Sequence, residues 1–124
     1  MAKILIVDDS NMSRKLMRKI LQTEGHEVIE AKDGLTALET YLLEKPDLVL
    51  IDLLMPDMQG TEVLAKLRQL DDKAQVIVAS ADLQDLTRAS VEAAGAVGYI
   101  TKPFVASNVL KIVNSVLQGI KKVL

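Results

Sequence analysis

The 124-residue sequence contains no cysteine, no tryptophan and a single histidine. The missing cysteines exclude disulfides, thiolate catalysis and cysteine-ligated zinc, and one histidine excludes a multi-histidine metal site. Two tyrosines and one phenylalanine give no platform for stacking nucleic-acid bases, and the net charge of -2 gives no basic surface for them. The apolar runs end after a few residues, well short of the ~20 residues that a membrane-spanning helix needs.

The composition is that of a folded domain. Apolar residues make up 49% and charged residues 26% of the chain, which excludes intrinsic disorder and fits an ordinary protein surface. We expect one domain over residues 1–124, without a linker or an internal repeat. A strand-like run begins almost at once, with no charged leader and no small-residue cleavage site, so we expect a cytoplasmic protein.

Five short apolar runs recur along the chain and predict five strands. Most consist of β-branched residues or leucine without a charge, as in strands that are buried on both faces. The second run contains Glu27 and Glu30, so we expect it at an edge of the sheet. The predicted strands are Ile4–Val7, Glu27–Ala31, Leu48–Ile51, Val76–Ala79 and Val97–Thr101.

Apolar residues with helical spacing fill the gaps between the strands and predict five helices. The fourth predicted helix, from Leu86 to Ala94, is rich in alanine and has the weakest apolar stripe. Regular alternation of strand and helix predicts an α/β fold, with a parallel sheet between two layers of helices. The stripes expected to face the core are Met12, Leu16, Ile20 and Leu21 in the first helix, and Leu35, Leu38 and Leu42 in the second.

Polar residues follow the predicted strands where ligands bind in an open parallel sheet, beyond the carboxyl ends. Asp8 and Asp9 follow the first strand, Asp52 the third, Ser80 the fourth and Lys102 the fifth. Each residue alone has a simple explanation as a helix cap, a turn residue or a surface charge. Together, however, three carboxylates gather at one edge, where they repel one another. A divalent cation relieves this repulsion, and oxygen ligands suit Mg²⁺.

This set of residues predicts phosphoryl chemistry. A carboxylate beside Mg²⁺ can attack phosphorus and form an acyl phosphate. The charge of the transferred group would be neutralised by the metal, the Lys102 ammonium and a hydroxyl such as that of Ser80. Asp52 is the best candidate for the nucleophile, because it follows a central strand and the other groups come from strands predicted to flank it.

Four segments resemble the receiver domain of two-component response regulators, most closely the stand-alone CheY-like type. The resemblance covers essentially the whole chain. It implies a flavodoxin-like, doubly wound sheet of five parallel strands in the order 2-1-3-4-5. The matching segments are Ile4–Ser10, Pro46–Asp52, Met55–Gly60 and Gly98–Phe104.

The resemblance also implies roles at the metal site. Asp52 is the phospho-acceptor and a Mg²⁺ ligand, and Asp9 is a direct ligand. Asp8 acts mainly through metal-bound water, and Leu54 contributes its backbone carbonyl. Lys102 pairs with the phosphoryl oxygens.

Further roles implied by the resemblance concern the switch. The hydroxyl of Ser80 moves toward the phosphate, and the small side chain of Ala81 leaves room for the phosphoryl group. Tyr99 turns inward when the hydroxyl moves, although a half-buried tyrosine with its hydroxyl in water is an equal alternative. Because the family commonly has a cis bond before the proline that follows its lysine, we expect Lys102–Pro103 to be cis.

The function implied by the resemblance is a phosphorylation-activated signalling switch, not an enzyme that turns over a separate substrate. A phosphohistidine on a sensor kinase or phosphotransfer protein would be the donor, in a two-component system or phosphorelay. A downstream protein would bind the predicted fourth helix, fifth strand and fifth helix, and no direct contact with nucleic acid or membrane is expected. The protein would be a monomer or a weak phosphorylation-dependent dimer. Candidate contact residues are Arg88, Glu92, Tyr99 and Lys111.

Three alternatives are weaker. A Mg²⁺-dependent phosphohydrolase would place a second aspartate two residues after the nucleophile, where this chain has Leu54, and would need a larger domain to hold its substrate. A flavodoxin-type cofactor protein would need a loop rich in glycine, serine or threonine where this chain has Asp8 and Asp9. A scaffold that acts without phosphorylation is disfavoured because all the key positions are filled.

Overall fold

The computed structural model describes residues 2–53, 55, 57–80, 89 and 92–119. Five strands form one parallel sheet in the order β2-β1-β3-β4-β5. This order and the edge position of the second strand confirm the predictions, and each strand begins and ends within one residue of its predicted bounds. The strands are β1 (Lys3–Val7), β2 (Glu27–Ala31), β3 (Leu48–Ile51), β4 (Val76–Ser80) and β5 (Gly98–Thr101).

Helices follow four of the strands in the described part of the chain. They are α1 (Asn11–Gln22), α2 (Gly34–Glu44), α3 (Gly60–Leu70) and α4 (Ala106–Leu117). Most of the predicted alanine-rich helix, including Leu86 and Arg88, lies outside the described residues. Ala89 and residues 92–93 within it are helical.

The sheet is buried on both faces, as its uninterrupted apolar strands predict. Along β1, Leu5 and Val7 pack in one core cluster with residues of α2 and α3. Ile4 and Ile6, which point to the opposite face, pack in a second cluster with residues of α1 and α4. This alternation follows from the two-residue period of a strand.

The apolar stripe predicted for α1 is partly wrong. Ile20 and Leu21 are buried as expected, but Met12 is 82% exposed and Leu16 is 45% exposed. Met17 is buried in their place. Because α1 has more apolar residues than one face can hold, the helical period alone does not determine which of them reach the sheet.

The stripe predicted for α2 is also partly wrong, although Leu38 packs against the core as expected. Leu35 is 59% and Leu42 is 55% exposed, while Gly34, Ala37 and Tyr41 face the core. The reason is a close approach between α2 and its neighbours. A Cβ atom on Gly34 would lie 2.9 Å from Met58 Cβ, so the beginning of α2 requires a glycine at this contact, while Leu35, Leu42 and Leu43 are left on the surface.

Two carboxylates hold the beginning of α2. Asp33 is the N-cap, and its side chain accepts a hydrogen bond of 2.8 Å from the backbone N–H of Thr36. Asp57, in the loop between β3 and α3, accepts hydrogen bonds from the N–H groups of Gly34 and Leu35 at 3.0 and 3.2 Å. The loop that follows β3 is therefore tied to the helix that precedes it.

The Asp33 cap predicts a pH dependence of stability. The backbone hydrogen bond from Thr36, with a second one from its side chain, lowers the pKa of Asp33 below its ordinary value of 3.8. A carboxyl whose pKa is lower in the folded state stabilises the fold above its unfolded pKa, and this contribution is lost as pH falls through the folded pKa. Asp33→Asn keeps a capping oxygen but does not titrate. We expect wild type to have a slightly higher urea midpoint than D33N at pH 7 and the gap to close toward pH 3. A gap that stays constant would contradict this prediction.

Candidate functional site

The three charged residues that follow β1, β3 and β5 are held rigidly by the backbone. The N–H of Asp8 donates to the carbonyl of Ala31 at 3.1 Å, and the N–H of Asp52 donates to that of Val7 at 2.9 Å. The N–H of Lys102 donates to the carbonyl of Ser80 at 2.9 Å. The parallel hydrogen-bond ladder therefore extends one residue past each strand, and each side chain leaves the sheet from a fixed position.

Three carboxylates converge at this edge. Asp8, Asp9 and Asp52 each offer an oxygen, and these oxygens lie within 4.8 Å of one another. Asp8 and Asp52 are buried, with exposed fractions of 4% and 7%, whereas Asp9 is exposed. One oxygen of Asp8 accepts the N–H of Ser10 at 2.9 Å. The sequence prediction that strands distant along the chain bring these acids together is thus met in the geometry.

Lys102 lies between two of the carboxylates. Its Nζ is 3.0 Å from Asp8 Oδ2 and 3.0 Å from Asp52 Oδ2, and 5.8 Å from the centre of the Phe104 ring. Burial lowers the pKa of Lys102, but the hydrogen bonds and charges of Asp8 and Asp52 outweigh burial and raise it above 10.5. The side chain is therefore an ammonium at neutral pH, with two carboxylates sharing its charge.

The chemistry of this donor set fits Mg²⁺. All three acids offer oxygen, with no nitrogen or sulfur ligand among them, and Mg²⁺ prefers oxygen. The Lys102 ammonium is hydrogen bonded to two of the three acids, so these carboxylates already attract one positive charge. An acidic cluster that is buried in part and draws an ammonium to itself can hold a small divalent cation as well.

Of the four remaining predicted site residues, Ser80 and Tyr99 are among the described residues. Ser80 is buried at the end of β4, opposite Thr101 of β5. Tyr99 is 9% exposed and packs in the core cluster on the α2 and α3 face, and its hydroxyl oxygen is buried rather than in water. The Lys102–Pro103 bond is cis, as expected. Leu54 and Ala81 lie outside the described residues.

Two residues beside the acids were missed in the sequence. Arg14 donates to the carbonyl oxygen of Asp8 and pairs with Glu30 of β2. The available signal was weak: Arg14 is in the first turns of the helix that follows the acids, and Glu30 is a charge within an otherwise apolar strand. Only the neighbouring positions of β1 and β2 bring them together.

A parallel five-stranded sheet with three converging carboxylates and a lysine at its carboxyl edge defines a flavodoxin-like α/β protein with a charged site at the ends of its strands. The family model of the response regulator receiver domain matches residues 4–114. The chain therefore belongs to the response regulator receiver family of two-component signalling, and it is CheY-like.

Individual relatives agree with this assignment. The chain is 40% identical over 116 residues to chemotaxis protein CheY of Bacillus subtilis, an alignment that covers 93% of this chain and 97% of that protein. The structure of Vibrio cholerae CheY4 has a TM-score of 0.89 at 31% identity, covering 94% and 98% of the two chains. Response regulator TrrA of Thermotoga maritima, solved in complex with Mg²⁺–BeF, has a TM-score of 0.84 at 32% identity, covering 93% and 98%.

Among the described residues, no helix combines the length and the apolar character that crossing a membrane requires.

Proposed function

We propose that this protein is a signalling switch that accepts a phosphoryl group on Asp52. The observation on which the proposal rests is the Lys102 ammonium, 3.0 Å from both Asp8 and Asp52 at the edge where three carboxylates converge. Mg²⁺ would be held by Asp8, Asp9 and Asp52, together with the backbone carbonyl of Leu54. The Mg²⁺–BeF complex of the related TrrA supports such a cation site in this chain.

The residues of the chain account for the transfer. An oxygen of Asp52 bonds to phosphorus while the P–N bond of a donor phosphohistidine breaks, and the electron pair of that bond returns to the imidazole nitrogen. When bound, Mg²⁺ neutralises charge on the transferring oxygens. Lys102 neutralises charge from the other side. Burial of Asp52 keeps bulk water away from the attacking oxygen.

Phosphorylation would then change the surface of the protein. It adds nearly two negative charges and new acceptor oxygens beside Asp52. Ser80, which ends the strand next to β5, would donate its hydroxyl to one of these oxygens, and Ala81 would leave space for them. Tyr99 lies on β5, in register with Val78 of β4. A shift at Ser80, two residues further along β4, would therefore change the surroundings of the Tyr99 ring.

The partners follow from this scheme. A sensor kinase or phosphotransfer protein would supply the phosphoryl group. A downstream protein would read the change at β5 and α4, together with the predicted fourth helix, most of which lies outside the described residues. Asp52 is itself the acceptor, so the protein would promote its own phosphorylation and dephosphorylation and would not turn over a separate substrate. We place this switch in the cytoplasm.

Intact-mass spectrometry after incubation with acetyl phosphate and Mg²⁺ tests the proposal. Wild type should gain one phosphoryl group, and Asp52→Asn should gain none. Asp57→Asn is a matched control, because Asp57 lies on the same loop but contacts the N-terminus of α2; it should be modified like wild type. Equal modification of wild type and D52N would overturn the assignment, as would modification of wild type that does not require Mg²⁺.

A further inference from the structure

The loop that joins β1 to α1 contains two of the three acids, and its geometry is held unequally. Asp8 has both carboxylate oxygens engaged, one by the N–H of Ser10 and the other by Lys102. Asp9 is exposed, and its carboxylate forms no hydrogen bond or ion pair with any residue described in the structure. The position from which the Asp9 side chain leaves the backbone therefore depends on how the peptide bond between Asp8 and Asp9 is oriented.

Arg14 fixes that peptide bond. Its Nη1 donates to the carbonyl oxygen of Asp8 at 2.5 Å, which is the oxygen of the peptide linking the two acids. Its Nη2 donates to Oδ1 of Asn11, the first residue of α1. One planar guanidinium thus spans the acidic peptide and the beginning of the helix, a geometry that a lysine cannot reproduce.

Glu30 holds the guanidinium in place. Arg14 Nε is 2.9 Å from Glu30 Oε1, and Arg18 Nε is 2.6 Å from Glu30 Oε2. The Arg14 side chain is 12% exposed and that of Glu30 is 29% exposed, so this contact is partly shielded from water. Burial raises the pKa of Glu30, but the hydrogen bonds and charges of Arg18 and Arg14 outweigh it and lower the pKa below 4.5. Glu30 is thus ionised at neutral pH and offsets the charge that Arg14 brings close to the acids.

We propose that Arg14 is a positioning residue for the cation site, acting through the peptide bond between Asp8 and Asp9. This inference rests on the proposed function, because it concerns the Mg²⁺ that the three acids would hold. Arg14 does not touch the metal or the phosphoryl group. It holds the backbone of Asp9 in the orientation from which its carboxylate oxygen can lie near those of Asp8 and Asp52, so that binding does not have to order the loop.

Mg²⁺ titration, followed by calorimetry or by backbone amide NMR shifts, tests the inference without phosphorylation. Arg14→Lys keeps the charge but loses the planar guanidinium with its paired N–H donors, and Arg14→Gln loses both the charge and the guanidinium. Both should bind Mg²⁺ about tenfold more weakly, as is typical when a residue that orients a metal ligand is lost. Simple electrostatics predicts the opposite for R14Q, because removing a positive charge near the site favours a cation. Mg²⁺ affinity in R14Q equal to or above that of wild type would overturn the inference.

Arg18→Lys is the matched control. Arg18 pairs with the same Glu30 but makes no contact with the Asp8–Asp9 peptide among the described residues. R18K should keep Mg²⁺ affinity within about twofold of wild type even where its stability falls as much as that of R14K. Equal weakening in R18K and R14K would assign the effect to general packing of α1 and overturn the inference.

A metal-free measurement tests the hold of Arg14 on the Asp8–Asp9 peptide, and the Mg²⁺ titrations separate this inference from the proposed function. Amide hydrogen exchange at Ser10, whose N–H donates to Asp8, should be faster in R14K than in wild type and unchanged in R18K. If wild type shows no Mg²⁺ affinity that depends on Asp52, the proposed function fails and the inference fails with it. If wild type binds Mg²⁺ and the Arg14 variants bind equally well, only the inference fails.

Discussion

Lys102→Ala should be phosphorylated by acetyl phosphate on the order of 10²-fold more slowly than wild type, the loss expected when one preorganised cationic or donor group is removed from a reacting centre. The same variant should bind Mg²⁺ at least as tightly as wild type. The ammonium lies 3.0 Å from oxygens of Asp8 and Asp52 and therefore competes with a cation for them. Initial rates from intact mass and a parallel Mg²⁺ titration measure the two effects separately.

The control for Lys102 is Lys32→Ala, which removes the same charge just beyond the end of β2 at the same edge of the sheet. Lys32 is exposed, so K32A should be phosphorylated at nearly the wild-type rate. An unchanged rate in K102A would show that this lysine has no part in the transfer. Weaker Mg²⁺ binding in K102A would show that its role is to shape the metal site rather than to neutralise the phosphoryl group.

Gly60→Ala should destabilise the fold by about 3 kcal/mol, at the upper end of the range for overpacking. Gly60 begins α3, and its N–H donates to the carbonyl of Leu53 at 2.8 Å. A Cβ atom there would lie 2.4 Å from the carbonyl oxygen of Asp52 and 2.6 Å from Leu53 Cα. Both are backbone atoms, so neither can rotate away, and α3 would have to shift as a unit.

Gly34→Ala is the graded comparison for G60A. Its added Cβ would meet Met58 Cβ and Val63 Cγ2, each at 2.9 Å. These approaches are less severe than those of 2.4 and 2.6 Å at Gly60. In urea unfolding, we expect the free energy of unfolding to be highest in wild type, lower in G34A and much lower in G60A. In thermal unfolding, we expect the melting temperature of G60A to fall by roughly 10 °C. Equal stability of the two variants would contradict the contacts at the beginning of α3.

The strands were predictable because of where they lie. A parallel sheet covered by helices buries both faces of its strands, so β3 reads as an uninterrupted Leu48–Ile51 run, and all four of its residues are buried. The edge strand β2 was recognisable because it is less completely buried and includes Glu27 and Glu30. The strand order itself came from the family resemblance and not from composition or periodicity.

The faces of α1 and α2 were only partly predictable from apolar spacing. In α2 the leucines have the clearer helical period, but packing selected Gly34, Ala37 and Tyr41. Distance decides this choice, because a helix that comes close to its neighbours must place small residues at the contact. The sequence shows which residues are apolar, but it does not show how close two elements come.

The site was predictable in its main residues for a topological reason. Parallel strands end at the same edge, so Asp8, Asp52 and Lys102 were expected to lie there once the strands were assigned, and the order implied by the family resemblance brings them together. The clamp of Arg14 on the peptide of Asp8 could not be predicted in the same way. The clamp depends on Glu30, which is 16 residues from Arg14 in sequence but lies beside α1. Only the pairing of β1 with β2 establishes this proximity.

Chemical mapping of the modified residue in wild-type protein tests the central claim most directly. Acetyl phosphate and Mg²⁺ are added, and borohydride then reduces any acyl phosphate to the corresponding alcohol, which converts a phosphorylated aspartate to homoserine. Peptide mass spectrometry should locate homoserine at position 52 and nowhere else. Homoserine at position 8 or 9, or its absence from every position, would contradict the assignment of Asp52 as the phospho-acceptor.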